Sequence, residues 1–284
     1  MKYVLAVSGG VDSVVLLDMV TKGLLGIPKV EFVVAHFDHG VRQNSGRDAK
    51  FVEELAKKYE LEFYLGEGHL GSKASESSAR TKRYEFLNKV ARKITPDGEV
   101  KIITAHHQDD LIETILINLI RGTGWRGLAP FWSDNILRPM INLTKAEIVR
   151  YATENNLEWV EDETNFSNKY FRNRVRNISS RMTANQRQQL LDIYKNQVKL
   201  RSNIEKNLDE VNQVPKISDL VLLSKISNDV AIELLNRITE GKLTEPQLKR
   251  LLSSLKTAKS GDIFQPGGGI QVGVYKSEIN ISDL

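Results

Sequence analysis

The amino-acid sequence predicts an α/β fold, a doubly wound and mainly parallel sheet followed by a small α+β domain. Three observations carry that reading. Between Tyr3 and Asn155, apolar runs of strand length alternate with longer segments whose apolar residues recur at helical spacing. The first such pair is joined by Ser8-Gly9-Gly10-Val11-Asp12-Ser13, a glycine-rich turn leading into a helix. The notable polar residues then fall just after the strands, and in such sheets ligands sit beyond the strands' carboxyl ends.

In order, strands are expected at 3–7, 29–36, 61–65 and 100–105. Helices are expected from 14, at 44–59, 75–93, 107–121 and 144–155. Strand–helix alternation of these lengths means βαβ units with helices on both faces. After Met182 the pattern changes. The stretch 183–207 reads as one long polar helix, 231–238 and 245–255 as two amphipathic helices. The stretch 262–281 reads as paired strands around Pro266-Gly267-Gly268-Gly269. The expected organisation is a first domain over 1–182, a helical linker over 183–212 and a small domain over 213–284.

Composition narrows the function. With 284 residues and 40% hydrophobic content there is material for a large core and a small one. Absence of cysteine excludes disulfides, thiolate–metal sites and thiol chemistry. No apolar run reaches the ~18–20 residues of a membrane span, and the chain enters a strand at once, so a cytoplasmic protein without leader is expected. The net charge is only +4, but Lys169–Arg201 holds nine Lys/Arg and one acid, Asp192. That block points to a polyanion, with a solvated helix face as the alternative.

The turn at 8–13 is a phosphate cradle. Amides at a helix N-terminus lack intrahelical partners and carry the positive end of the dipole, so the backbone of Gly9, Gly10 and Val11 suits an anion. Ser8 and Ser13 add hydroxyls, and Asp12 a carboxylate able to hold Mg²⁺. The lysine of a GxxxxGK[ST] loop is missing, and there is no GxGxxG. After the second strand, the backbone of Ala35 and His36 is placed to read an adenine. A metal reading of His36 to His39 lacks a ligand cluster. After the fourth strand, His106, Asp110 and Glu113 fall on one helical face, opposite an apolar stripe of Ile112, Ile115, Leu116 and Leu119. Carboxylates at a helix start also complement its dipole, which accounts for Asp109 and less well for Glu113. Beside a phosphate site, such a pair needs Mg²⁺ or a cationic substrate. Arg80 and Arg83 on one helix, and Arg172, Arg174 and Arg176 in the basic block, are the candidate phosphate or RNA contacts.

Taken in order, SGGVDS, HFDHGVR, Glu76…Arg80…Arg83-Tyr84, AHHQDDLIET, RGTGWRGL, LRPM, EDETN and RNRVR resemble the tRNA(Ile)-lysidine synthetase family. That family is a branch of the N-type ATP pyrophosphatases (PP-loop enzymes), with an adenine nucleotide alpha hydrolase-like fold. The resemblance covers residues 1 to about 180 and, less distinctively, a following small tRNA-binding domain. It implies ATP as substrate with Mg²⁺, adenylation of O2 of the wobble cytidine in a CAU-anticodon tRNA(Ile), and attack of free L-lysine at C2. By the same resemblance, Ser8 to Ser13 with Ala35 and His36 bind ATP, and Asp12 holds the metal. Asp110 and Glu113 grip the lysine ammonium, and Arg172 orients the nucleotide. Asp12, Asp110, Glu113 and Arg172 are then the catalytic set. A homodimer stays open. So do two other functions: an amidotransferase-type PP-loop synthetase, and an ATP-regulated RNA-binding module without turnover. Thiolation is excluded by the missing cysteines.

Overall fold

The structure, a computed structural model, describes residues 2–28, 31–40, 45–68, 76–96, 101–133, 135–161, 171–212 and 220–284. The chain forms two compact units, Met1–Thr123 with Gly127–Tyr194, and Gly124–Arg126 with Lys195–Leu284.

In the first unit, five strands lie in the order β3-β2-β1-β4-β5, every neighbouring pair parallel. They are β1 (Lys2–Ala6), β2 (Glu31–Asp38), β3 (Glu62–Glu67), β4 (Lys101–Ile103) and β5 (Ile136–Leu137). Between and after them come α1 (Val11–Thr21), α2 (Ser45–Lys58), α3 (Glu76–Ile94), α4 (Gln108–Ile120), α5 (Lys145–Glu154) and α6 (Phe171–Ser179). Apolar residues on successive strand positions face opposite sides and build two cores. Leu5, Val34 and Ile103 pack with α1, α2 and α5, whereas Val4, Val33 and Ile102 pack with Leu87, Val90 and Ala91 of α3. The chain winds from β1 through β2 to β3, then returns to place β4 on the other side of β1. The switch in direction lies between β1 and β4, and sheets of this kind take their ligands in the crevice beyond the carboxyl ends at that point.

Several elements differ from expectation. The two-residue β5 adds a fifth strand, too short to show a pattern in sequence, and α6 forms across the RNRVR stretch. His107 caps α4, so His106 precedes the helix rather than sharing its face, and Leu119 is 46% exposed.

The second unit packs α8 (Leu220–Lys225), α9 (Asn228–Ile238) and α10 (Glu245–Leu255) on an antiparallel sheet of β6 (Ile263–Gly267), β7 (Ile270–Tyr275) and β8 (Glu278–Asp283). The hairpins turn at Gly268-Gly269 and at Lys276-Ser277, all four with positive φ, which is why a third strand follows the paired two. The long helix α7 (Ala184–Asn212) begins in the first unit and continues into the second. Within the second unit, Trp125 Nε1 donates to Glu233 Oε1 at 3.2 Å and Arg126 pairs with the same carboxylate.

Candidate active site

The turn after β1 is built by one hydroxyl. Ser13 Oγ accepts from the N–H groups of Ser8 and Gly9, both at 3.1 Å, and donates to Gly10 O at 2.8 Å. Ser8 Oγ lies 3.1 Å from it. Gly9 sits at φ +92°, and a Cβ there would stand 3.3 Å from Val52 Cγ2 of α2, so a side chain is opposed twice. Gly10 caps α1 without a side-chain hydrogen bond, so the helix's first amides, those of Val11 and Asp12 among them, have no side-chain cap. Ala35 O accepts from Val7 N–H at 3.0 Å and His36 Nδ1 bonds Val7 O at 2.9 Å, so both residues brace the strand end that carries the turn.

Asp12 meets a cation that sequence reading missed. Lys145 Nζ, in the first turn of α5, lies 2.5 Å from Asp12 Oδ1. The lysine absent from the loop thus arrives from another element. A Thr144 cap and a neighbouring acid hold that helix start: Glu147 N–H donates to Thr144 Oγ1, and Asp109 Oδ2 accepts from Lys145 N–H at 2.7 Å. Asp109 Oδ1 also takes Arg187 Nη1 of α7 at 2.7 Å. Burial pushes its carboxyl up, but the Lys145 amide and the Arg187 guanidinium outweigh that and hold it below the ordinary range. Asp109 therefore does more than complement a helix dipole. It ties α4, α5 and α7 together.

At the end of β4, consecutive histidines diverge. His107 turns toward the cradle, its Nε2 3.8 Å from Asp12 Oδ1 and 3.5 Å from Asp110 Oδ2. His106 turns away, its Nδ1 2.7 Å from Thr104 Oγ1 and its ring 4.8 Å from that of Phe131. Burial, with Arg138, Arg80 and Arg83 nearby, pushes the His106 imidazole down to about 3, so it is neutral at working pH.

The carboxylate pair and the basic block come together, a meeting the sequence did not signal. Glu113 is 2% exposed; its Oε2 takes Arg172 Nε at 3.2 Å and its Oε1 takes Arg176 Nε at 2.9 Å. Asp110 Oδ1 takes Arg172 Nη2 at 3.2 Å, and its Oδ2 accepts from His107 N–H at 3.2 Å. Burial raises the Asp110 carboxyl, but His107 and Arg172 hold it below the ordinary range. The periodicity of α6 explains the selection: Arg172 and Arg176, four apart, face α4, whereas Arg174 is exposed and stands over the Phe171 ring. Arg80 and Arg83 flank Tyr84, with guanidinium carbons 5.0 and 5.4 Å from its ring centre. Arg138, from the LRPM stretch, joins them within electrostatic reach of Tyr84 and Arg80, though no sequence signal assigned it a role of its own. Val41-Arg42 and Asp162 to Asn165 lie outside the described residues.

A parallel, doubly wound sheet with an anion cradle and a carboxylate at its switch point defines a nucleotide-binding α/β protein. The family model of the PP-loop domain matches residues 1–182. This chain belongs to the PP-loop family. Among curated proteins it is similar to "tRNA(Ile)-lysidine synthase" of Thermotoga maritima, 40% identical over 179 residues, covering 60% of this chain and 42% of that one. It is also similar to "Bifunctional protein TilS/HprT" of Listeria monocytogenes, 38% identical over 187 residues, covering 62% and 28%. The chain spans less than half the length of these relatives. A U34-tRNA thiolase from Methanococcus maripaludis, solved with its [4Fe-4S] cluster, superposes with a TM-score of 0.58 at 18% identity, covering 70% of this chain and 72% of that one. It shares the fold.

Proposed function

We propose that the protein ligates free L-lysine to C2 of the wobble cytidine of CAU-anticodon tRNA(Ile), using ATP. Cytosine O2 attacks the α-phosphorus of ATP, and the bond to the departing pyrophosphate breaks. The lysine ε-amine then attacks C2, the C2–O2 bond breaks, and AMP leaves carrying that oxygen. The names of the relatives favour this substrate, and one observation carries it: two carboxylates beside the cradle, Asp110 and Glu113, already hold cationic side chains. Such a pair is suited to an alkylammonium, and one of the carboxylates, or a water between them, takes the proton lysine must lose.

In this reading, Ser8, Gly9, Gly10, Val11 and Ser13 cradle the outer phosphates as their charge grows, with Lys145 supplying the cation the loop lacks. Ala35 and His36 are assigned to the adenine side, although the Ala35 carbonyl and the His36 ring are themselves bonded to Val7. Among the described residues no three His, Asp or Glu side chains gather to hold a metal. Mg²⁺ is often held by one carboxylate and the phosphates themselves, which fits Asp12, whose side chain is 33% exposed. Bound there, Mg²⁺ would offset phosphate charge. Arg172 orients the nucleotide. Arg80, Arg83, Arg174 and Arg176 are the RNA or phosphate contacts, and the second unit holds the tRNA.

The test is incubation with ATP, Mg²⁺, labelled lysine and a tRNA(Ile) transcript. Label in RNA with stoichiometric AMP and pyrophosphate is expected. ATP binding without either product would sink the reading in favour of a binding module.

A further inference from the structure

Arg83 and Arg138, with Tyr84 beside them, are unlike Lys145, Arg172 and Arg176, because among the described residues no carboxylate pairs with them. Arg83 Nε, Tyr84 Oη and Arg138 Nε are buried and make no well-formed hydrogen bond among the described residues, although both guanidinium groups face the Tyr84 hydroxyl. Burial pushes both guanidinium groups below their ordinary range, and Arg80 adds like-charge repulsion to each. A buried cation without a counter-ion is costly, and buried donors are nearly always satisfied. Three unsatisfied donors together describe the complement of an oxyanion.

A second observation is independent of charge. Phe131 holds φ +64°, a region a bulky side chain rarely adopts, and Arg138 Nη1 fixes it by donating to Phe131 O at 2.6 Å. The strained turn lays the Phe131 ring against His106 at 4.8 Å, with the Arg138 guanidinium 4.8 Å from its centre. An aromatic ring beside an oxyanion hole is how a nucleotide of a single strand is held, its base stacked and its phosphate paired.

We propose that Arg83, Tyr84 and Arg138, with the Phe131 ring, form a second phosphate-and-base pocket, which takes the target nucleotide of the RNA. This rests on the RNA-modifying reading above. The chemistry alone would suit the phosphate of RNA or an inner phosphate of ATP. Placement favours RNA. His107 faces Asp12 and the cradle, whereas His106 turns to Thr104 and Phe131. The cradle opens onto α1, and Arg83 and Tyr84 stand on α3, which packs on the other face of the sheet. Arg172 lies within electrostatic reach of Arg83 while gripping Asp110 and Glu113, so this pocket adjoins the carboxylates and not only the cradle.

The experiment compares the wild-type chain with Arg83→Met, Tyr84→Phe and Arg138→Lys. Affinity for a labelled single-stranded RNA pentamer centred on CAU is read by anisotropy, affinity for ATP with Mg²⁺ by calorimetry, and stability by thermal melting. Loss of a charged hydrogen bond should weaken RNA binding by roughly tenfold to a hundredfold for Arg83→Met, with ATP affinity unchanged. Tyr84→Phe should fall in the same direction by a smaller factor. Removing an uncompensated buried cation should leave the melting temperature of Arg83→Met equal or higher. A fall in ATP affinity with RNA binding intact would overturn the assignment to RNA. Unchanged binding of both ligands, or a destabilised Arg83→Met with wild-type affinities, would overturn the pocket itself. Should wild-type protein bind the pentamer through these residues yet never ligate lysine, the enzymatic reading fails and the pocket stands.

Discussion

At the scale of single residues, the cradle is the least tolerant part of the chain. Gly9 combines a left-handed backbone with a Val52 methyl 3.3 Å from where a Cβ would go. Gly9→Ala is expected to cost about 1–3 kcal/mol of stability, typical of strained backbone sites, seen as a lower melting temperature together with weaker ATP binding. Lys145 is a sharper probe, because its side chain is 44% exposed and its loss leaves no cavity. Lys145→Ala should keep the fold and slow pyrophosphate release about 10²–10³-fold, the range for removing one preorganised electrostatic group. A wild-type rate of release would remove Lys145 from the phosphate site.

At the scale of elements, two polar clamps hold helices together. The first joins α4 to α6 through Glu113, Arg172 and Arg176. Glu113→Ala takes one carboxylate partner from each of Arg172 and Arg176, and the expected loss is roughly 1–3 kcal/mol, as for other lost charged hydrogen bonds. A raised KM for lysine should accompany it, whereas Glu113→Gln should restore stability and not lysine affinity. The second clamp is Asp18 of α1, 2% exposed. It accepts from Tyr59, just beyond α2, and from Tyr151 of α5, each at 2.7 Å, and pairs with Lys22 at 2.9 Å. Burial raises its carboxyl, but Lys22 and the two hydroxyls outweigh burial and hold it below the ordinary value. An acid depressed in the folded state stabilises above its unfolded pKa of about 4, and that contribution is lost as pH falls through the lower folded value. Asp18→Asn should therefore melt earlier at neutral pH and show a shallower loss of stability below about pH 4.

At the scale of the whole molecule, charge is concentrated where RNA binding is proposed. The block from Lys169 to Arg201 carries a local excess of positive charge, against +4 for the entire chain. Affinity for tRNA should fall steeply with salt, and each phosphate contact removed should lower the slope of log K against log salt by roughly 0.7–0.9. Lys199, exposed on α7, is a suitable site: Lys199→Ala should reduce the slope without altering ATP binding. A slope unchanged from wild type would place Lys199 outside the footprint.

What the chain's own letters determined is local. The strand–turn–helix of the cradle, the strand and helix succession and the placing of Asp110 and Glu113 on one helical face were all legible, because period, glycine placement and helical spacing act over a few residues. The pairing of those two carboxylates with Arg172, 62 and 59 residues away, was not legible. The two-residue β5 was not, since so short a strand exists only by pairing with β4. Nor was the approach of Lys145 to Asp12, or of Arg138 to Arg83 and Tyr84. Those partners lie 133 and about 55 residues apart in the chain. Only the winding of the sheet, which brings the ends of β1, β4 and β5 to one edge, sets such groups side by side, and no periodicity within a segment encodes that encounter.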